Sequence, residues 1–230
     1  MNITEVFYSL QGEGLLTGMP SVFIRFAGCN LRCAWCDTKY ASWYPEAMSW
    51  TEEAVLSEVA KHNTRHCVIT GGEPTIHPEL ASLTQKLKAM GRHITIETNG
   101  TNFRDGIACD LVSISPKLKH SIADPVKFPE QAAIQRERRL NIESFRGWID
   151  HHAYQLKFVF GTAADVAEIQ ELVRLIDRNI PPDRILLMPE GIDAETIFGR
   201  RAEVVRVCKK HGYRYCCRLH IDLFGSTKGI

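Results

Sequence analysis

The chain has 230 residues, 44% of them hydrophobic and 24% charged. That is enough apolar material for one large core, with residues 1–230 expected as a single domain, and no run approaches the roughly 20 apolar residues that a membrane span needs. A formal net charge of +1 supplies no strongly basic face for nucleic acid, and the one dense basic cluster, Arg136 to Arg139, is interrupted by Glu137 and reads as a solvated helix face.

Met1 to Pro20 lacks the positively charged start, apolar run and small-residue cleavage site of a secretory leader, so reduced thiols and a cytoplasmic location are expected. Val22 to Ala27 predicts a strand that runs into a loop carrying Cys29, Cys33 and Cys36. Ser49 with Glu52 forms a capping-box pattern for a helix whose apolar positions Val55, Leu56, Val59 and Ala60 recur at helical spacing. Cys67 to Thr70 predicts a strand stopped by Gly71 and Gly72; Leu80, Leu83, Leu87 and Met90 mark a helix ended by Gly91. Ile94 and Ile96 alternate with polar residues up to Glu97, and Leu111 to Ser115 repeats the strand pattern before Pro116.

Residues 117–150 are charged and carry Pro125 and Pro129. They predict a helix or two without a clear apolar stripe, and the stretch 119–150 reads as a variable insertion over one end of the core. The rhythm then returns: a strand over Leu156 to Phe160, a helical face of Val166, Ile169, Leu172, Val173 and Ile176, a strand over Ile185 to Met188, a helix holding Val204, Val205 and Cys208 closed by Gly212, and a final strand over Arg214 to Leu219. Gln155 and Lys157 face inward if Leu156 and Phe158 pack under the outer helices. Repeated strand–helix units imply right-handed crossovers and a parallel sheet. About six units are too few for a closed eight-fold barrel, so the expected class is α/β, a partial, open (β/α) barrel.

Cys29, Cys33 and Cys36 form an incomplete ligand set. A four-iron four-sulfur cluster takes four thiolates; a loop that supplies three leaves one iron open, and an open metal position is where chemistry occurs. Zinc would need a second nearby pair, which Cys67, Cys109, Cys208, Cys216 and Cys217 do not provide at two-residue spacing. In open α/β folds the loops after the carboxyl ends of strands build the site. The cysteine loop, Gly71-Gly72-Glu73-Pro74, Glu97-Thr98-Asn99-Gly100 and Ser115-Pro116-Lys117 each follow a predicted strand in that way.

Cys29-Asn30-Leu31-Arg32-Cys33-Ala34-Trp35-Cys36 resembles the signature of the radical S-adenosylmethionine superfamily, and Gly71-Gly72-Glu73-Pro74 resembles its second motif. The resemblance implies that S-adenosylmethionine completes the fourth iron and that one electron from the 4Fe-4S cluster cleaves it to a 5′-deoxyadenosyl radical. Tyr8-Ser9-Leu10-Gln11-Gly12-Glu13-Gly14, Arg25, Cys36-Asp37-Thr38, Glu97-Thr98-Asn99-Gly100, Ser115-Pro116-Lys117, Phe224-Gly225 and Lys228-Gly229 together resemble the 7-carboxy-7-deazaguanine synthase family. That family contracts the ring of 6-carboxy-5,6,7,8-tetrahydropterin with loss of ammonia, on the route to queuosine.

The resemblance also implies roles. Cys29, Cys33 and Cys36 match the cluster ligands; Trp35, Cys36, Asp37, Gly72, Ser115, Pro116 and Lys117 match cofactor contacts. Leu10, Gln11, Gly12, Arg25, Thr70 and Glu97 match substrate contacts, with Arg25 suited to pairing a carboxylate through two nitrogens. Thr38 matches a position that ligates Mg2+, an ion that takes few protein ligands. The tail through Ile230 matches a segment that closes over the substrate. A homodimer and a reductant such as flavodoxin are implied likewise. A glycyl-radical activase shares the cluster loop but gives no place to Gln11-Gly12-Glu13-Gly14 or Thr38; a non-catalytic iron–sulfur or zinc module predicts no cofactor cleavage.

Overall fold

The computed structural model describes residues 1–225, 227 and 229. In chain order it contains β1 (Asn2–Leu10), β2 (Pro20–Phe26), α1 (Lys39–Ser42), β3 (Met48–Ser49), α2 (Glu52–Ala60), β4 (His66–Gly71), α3 (Leu80–Ala89), β5 (His93–Thr98) and β6 (Leu111–Ile114). There follow α4 (Pro129–Arg138), α5 (Ile142–His151), β7 (Tyr154–Phe160), α6 (Asp165–Ile176), β8 (Ile185–Pro189), α7 (Ala194–His211), β9 (Arg214–Tyr215) and α8 (Leu219–Phe224).

The strands form one sheet in the order β3-β1-β2-β4-β5-β6-β7-β8-β9. From β2 to β9 neighbouring strands are parallel, whereas β1 pairs antiparallel with β2 and β3 antiparallel with β1. The terminal strands β3 and β9 do not pair, so the barrel is partial and open, as the strand count predicts. No helix among the described residues is long and apolar enough to cross a membrane.

Strand alternation sorts the two faces. Val22, Ile24, Ile94, Ile96, Val112, Leu156, Phe158, Ile185 and Leu187 are buried outward against the helices, in one core shared with Val55, Val59, Leu83, Leu87, Ile169, Leu172 and Val204. The alternate positions face the concave side, where Val159, Leu186, Met188 and Cys216 form a small apolar cluster against Trp35. Leu156 and Phe158 are fully buried, which meets the condition for Gln155 and Lys157 to face inward.

Several elements differ from their sequence patterns. The helix near residue 50 is capped by Thr51, whose hydroxyl accepts from the Ala54 amide; Ser49 is occupied in β3 opposite Asn2, and Glu52 pairs with Lys86 instead of completing a capping box. The final strand is only Arg214–Tyr215, because Leu219 opens α8. The β5–β6 crossover over residues 99–110 contains no helix. Within 119–150, α5 does carry an apolar stripe: Phe145 and Trp148 are fully buried in the main core. α4 instead approaches the cysteine loop through Gln135, which is fully buried.

Candidate active site

The loops after the carboxyl ends of the parallel strands surround a cavity of about 640 Å³. Its wall includes Cys29, Cys33, Trp35, Cys36, Asp37 and Thr38 from the loop after β2, Gly71 and Gly72 after β4, Glu97, Thr98 and Asn99 at the end of β5, and Ser115 and Lys117 after β6. Leu10 at the end of β1, Gln11 and Gly12 from the β1–β2 loop, Arg25 and Thr70 from adjacent strands, Lys157 from β7, and Arg218 and His220 beyond β9 complete it. Thus every residue nominated from the sequence except Pro116 faces one space. Pro116 is buried behind the wall, between Ser115 and Lys117, whose side chains are joined by a 2.7 Å hydrogen bond from Nζ to Oγ.

The cysteine loop is fastened to the glycine loop by backbone. The Gly72 amide donates to the Phe26 carbonyl at 3.0 Å, the Glu73 amide to the Gly28 carbonyl at 2.8 Å, and the Gly28 amide to the Ala41 carbonyl at 2.7 Å. A Cβ at Gly71 would collide with the Phe26 carbonyl and one at Gly72 with that of Gly28. The glycines are therefore required by contact between two stretches of this chain's own backbone, a more specific reason than the approach of a ligand. Gly72→Ala is expected to destabilise the protein by about 1–3 kcal/mol and to lower iron uptake, as read by urea unfolding and iron analysis; a normal value for both would remove the fastening role.

Glu73, fully buried, locks this arrangement to the end of β5. Its carboxylate accepts from the Thr75 amide at 3.0 Å and hydroxyl at 2.6 Å, the Thr98 hydroxyl at 2.7 Å and the Asn99 amide at 2.7 Å. Burial pushes its pKa up against the pull of these four donors. Asn99 in turn donates to Asn30 at 2.9 Å, so the Glu-Pro and Thr-Asn-Gly motifs form one brace under the cysteine loop.

All three loop cysteines are free thiols, and each sulfur has a hydrogen-bonding neighbour. The Leu31 amide donates to Cys29 Sγ at 3.4 Å, Gln135 Nε2 donates to Cys33 Sγ at 3.3 Å, and Ser42 Oγ lies 3.1 Å from Cys36 Sγ. Burial pushes the Cys29 thiol up to about 12, with the Glu73 charge adding to it, and pushes Cys33 up to about 11 despite Lys117. Metal binding at this loop therefore releases protons. Among the described residues no three His, Cys, Asp or Glu side chains are grouped as ligands of a single ion. Three thiols spread around one cavity, each with a neighbour able to donate toward charged sulfur, suit a polynuclear cluster. Trp35 Nε1 is buried without a hydrogen-bond partner among the described residues, an unspent donor beside this loop.

The concave face also holds a chain of alternating charges. Arg218 pairs with Asp37 and, at 3.0 Å, with Glu13. Lys157 Nζ lies 2.6 Å from Glu13 and 2.9 Å from Glu97, and Gln11 Nε2 donates to Glu97 at 3.2 Å. Lys157 and Arg218 are both nearly buried. Burial alone would raise the Glu13 carboxyl, but the Lys157 and Arg218 charges hold it well below the usual carboxylate range. Burial alone would lower Lys157, yet Glu13 and Glu97 hold it above its ordinary value. Glu13, Arg218 and His220 were not singled out as individual site residues from the sequence; the glycine pattern around Glu13 was the one signal, since Gly12 packs on His220 and Gly14 on Gln155 so closely that neither tolerates a Cβ.

Arg25 sits beside Thr70 across the β2–β4 pair. Its Nε bonds Glu5 at 2.7 Å, and Tyr40 donates to the same carboxylate oxygen at 2.9 Å. Only Nε is used in this ion pair, which leaves the terminal guanidinium nitrogens without a protein hydrogen bond among the described residues. Thr38 precedes α1, but its hydroxyl makes no capping bond. Lys117 stacks its ammonium over the Trp35 ring at 5.6 Å. Of the tail residues, Lys228 and Ile230 lie outside the described residues.

The family model of the Radical SAM superfamily matches residues 23–197. The 7-carboxy-7-deazaguanine synthase of Rhodopirellula baltica is 46% identical over 228 residues, 99% of this chain and 88% of that one. The enzyme of the same name from Halobacterium salinarum is 42% identical over 234 residues, covering 98% and 91%. Among solved structures, QueE from Escherichia coli superposes with a TM-score of 0.67 at 29% identity, covering 95% of this chain and 94% of that one. With these relatives aligned over nearly their full lengths, the chain belongs to the radical S-adenosylmethionine superfamily and, within it, to the 7-carboxy-7-deazaguanine synthase family.

Proposed function

We infer that the cavity converts 6-carboxy-5,6,7,8-tetrahydropterin to 7-carboxy-7-deazaguanine with release of ammonia, as a carbon–nitrogen lyase of queuosine and deazapurine biosynthesis. The observation that carries this reading is the opening of three cysteine thiols and of Arg25, Gln11 and Glu97 onto the same cavity. Cys29, Cys33 and Cys36 would hold a 4Fe-4S cluster with one open iron. S-adenosylmethionine bound there supplies a carbon-centred radical through one-electron cleavage of its sulfonium.

The chain's own residues then bind, orient and exclude water. Trp35, Asp37, Gly72, Ser115 and Lys117 surround the cofactor, and Pro116 acts from behind by fixing the backbone that presents its neighbours. The free guanidinium nitrogens of Arg25 pair the substrate carboxylate, and Glu5 with Tyr40 keep that side chain in place. Thr38, whose hydroxyl lies 3.8 Å from Cys36 Sγ and makes no capping bond, is the protein ligand for Mg2+ at the same carboxylate. Glu97 accepts hydrogen bonds from the guanidine-like edge of the pterin; Lys157 and Gln11 each hold one of its oxygens and thereby fix its direction, each carboxylate oxygen keeping a second lone pair. Leu10, Gly12 and Thr70 shape the remaining wall, while Val68, Val159 and Met188 make it apolar. A small-molecule pterin as the one substrate, a flavodoxin-type reductant, a homodimer in the cytoplasm and a single 1–230 domain belong to the same reading.

Anaerobically reconstituted protein with dithionite, S-adenosylmethionine, Mg2+ and carboxytetrahydropterin is expected to form 5′-deoxyadenosine and a product with deazapurine absorbance and mass. Cleavage of S-adenosylmethionine without that product would reject the synthase and leave the activase. No cleavage under any condition would reject both.

A further inference from the structure

The sulfur contacts of the three cluster cysteines are not alike. Those of Cys29 and Cys36 are local in sequence: Leu31 on the same loop for Cys29, and Thr38 and Ser42, just before and at the end of α1, for Cys36. The contact to Cys33 comes from Gln135 in α4, 102 residues along the chain. Gln135 is fully buried, and each of its polar atoms is committed: Oε1 accepts from the Arg32 amide at 2.8 Å, while Nε2 donates to Cys33 Sγ at 3.3 Å and to Ser121 Oγ at 2.9 Å. A second bond, from the Ala34 amide to the Ser121 carbonyl at 2.8 Å, ties the same stretch of cysteine loop to the same foreign segment. One side chain thus grips the loop immediately before Cys33 and aims a dipole at the sulfur itself.

A buried amide with both ends satisfied on a loop of different origin is costly to leave half-bonded, so its orientation is fixed. Its N–H points its positive end at the atom that would bind iron. Hydrogen bonds to cluster sulfurs and burial are among the determinants of an iron–sulfur potential, because a reduced cluster carries one more negative charge and gains more from a nearby donor than an oxidised one does.

On the cluster reading given above, we propose that Gln135 is a positioning residue for the Cys33 corner of the cluster, and that its amide raises the reduction potential of the bound cluster. The segment 119–138 is in this view part of the redox machinery, although it contributes no ligand. The carboxamide is specifically required: an apolar side chain of similar size removes all three bonds, and a carboxylate keeps the Arg32 bond but replaces the donor with an acceptor and a negative charge.

Gln135→Met and Gln135→Glu, reconstituted anaerobically and titrated with titanium(III) citrate in the absence of S-adenosylmethionine, test this by the electron paramagnetic resonance signal of the reduced cluster. Both variants are expected to reduce at lower potential than the parent, with the equilibrium shifted about tenfold or more, a change of about 59 mV for one electron. Gln135→Glu is expected to show the larger shift. A full cluster with an unmoved potential in either variant would overturn the proposal. Because a core substitution can prevent folding, the parent protein labelled with 15N in glutamine side chains gives a second measurement. The reduced cluster should show hyperfine coupling to a glutamine amide nitrogen that persists in Gln11→Glu; no such coupling would also overturn it. A parent protein that binds no cluster at all would instead overturn the underlying cluster assignment.

Discussion

In Cys33→Ala, iron and sulfide after anaerobic reconstitution are expected to fall to background, and with them every trace of S-adenosylmethionine cleavage. Two thiolates remain on the loop, too few to hold a four-iron four-sulfur cluster of which one iron is already open. The fold should survive, since Cys33 is a small buried residue and the loop stays fastened through Gly28, Gly72 and Glu73. Circular dichroism and a thermal scan of the unreconstituted protein separate loss of ligand from loss of structure. A variant that kept the full iron complement and turned over would contradict the assignment of Cys33 as a ligand.

Lys157→Met is expected to be costly in a different way. The ammonium is 5% exposed and bridges Glu13 and Glu97, themselves 17% and 16% exposed. Removing one member of a buried charge group leaves the others uncompensated, at about 3–5 kcal/mol. Glu13 retains Arg218, whereas among the described residues Glu97 retains only Gln11, so the penalty falls chiefly on Glu97. Urea unfolding of the metal-free protein should show the loss, and adding Glu97→Gln should recover a substantial part of it. The single variant should also bind carboxytetrahydropterin poorly, because Glu97 loses the cation that directs it. An unchanged urea midpoint in Lys157→Met would refute the charge chain as a structural element.

The parallel strands were legible because they are buried on both faces and read as short apolar runs ended by Gly or Pro, as at Cys67 to Thr70 and Ile185 to Met188. β1 was not: Asn2–Leu10 near one edge of the sheet mixes buried, half-buried and exposed positions without clean alternation, and a register shift between Ile3 and Glu5 breaks the period. The stripe of α5 was hidden by the charges around Phe145 and Trp148.

The cysteine and glycine loops stood out because their chemistry demands particular residue types at fixed spacing. Lys157 was visible as an alternate position on its strand, but Arg218 was not, for a charged residue is exposed by default and only the partners brought to it by folding reverse that. Gln135 likewise carries no signal of its own. It lies in a helix whose other residues are mostly charged or small, and its partner sulfur is 102 residues away.

The closure of the wall at Glu13 has a consequence for the order in which the site comes into being. Glu13 leaves the ribosome early, and Arg218 is added 205 residues later, about 10–40 s at ordinary elongation rates. For the first 144 residues of that interval Glu13 lacks both of its cations and afterwards it still lacks Arg218, and Gly12 lacks the Leu219 amide that its carbonyl accepts in the finished fold. The cavity is therefore open along this seam while the sheet is being made, and the cysteine loop beside it is accessible from the side that Arg218 later shuts.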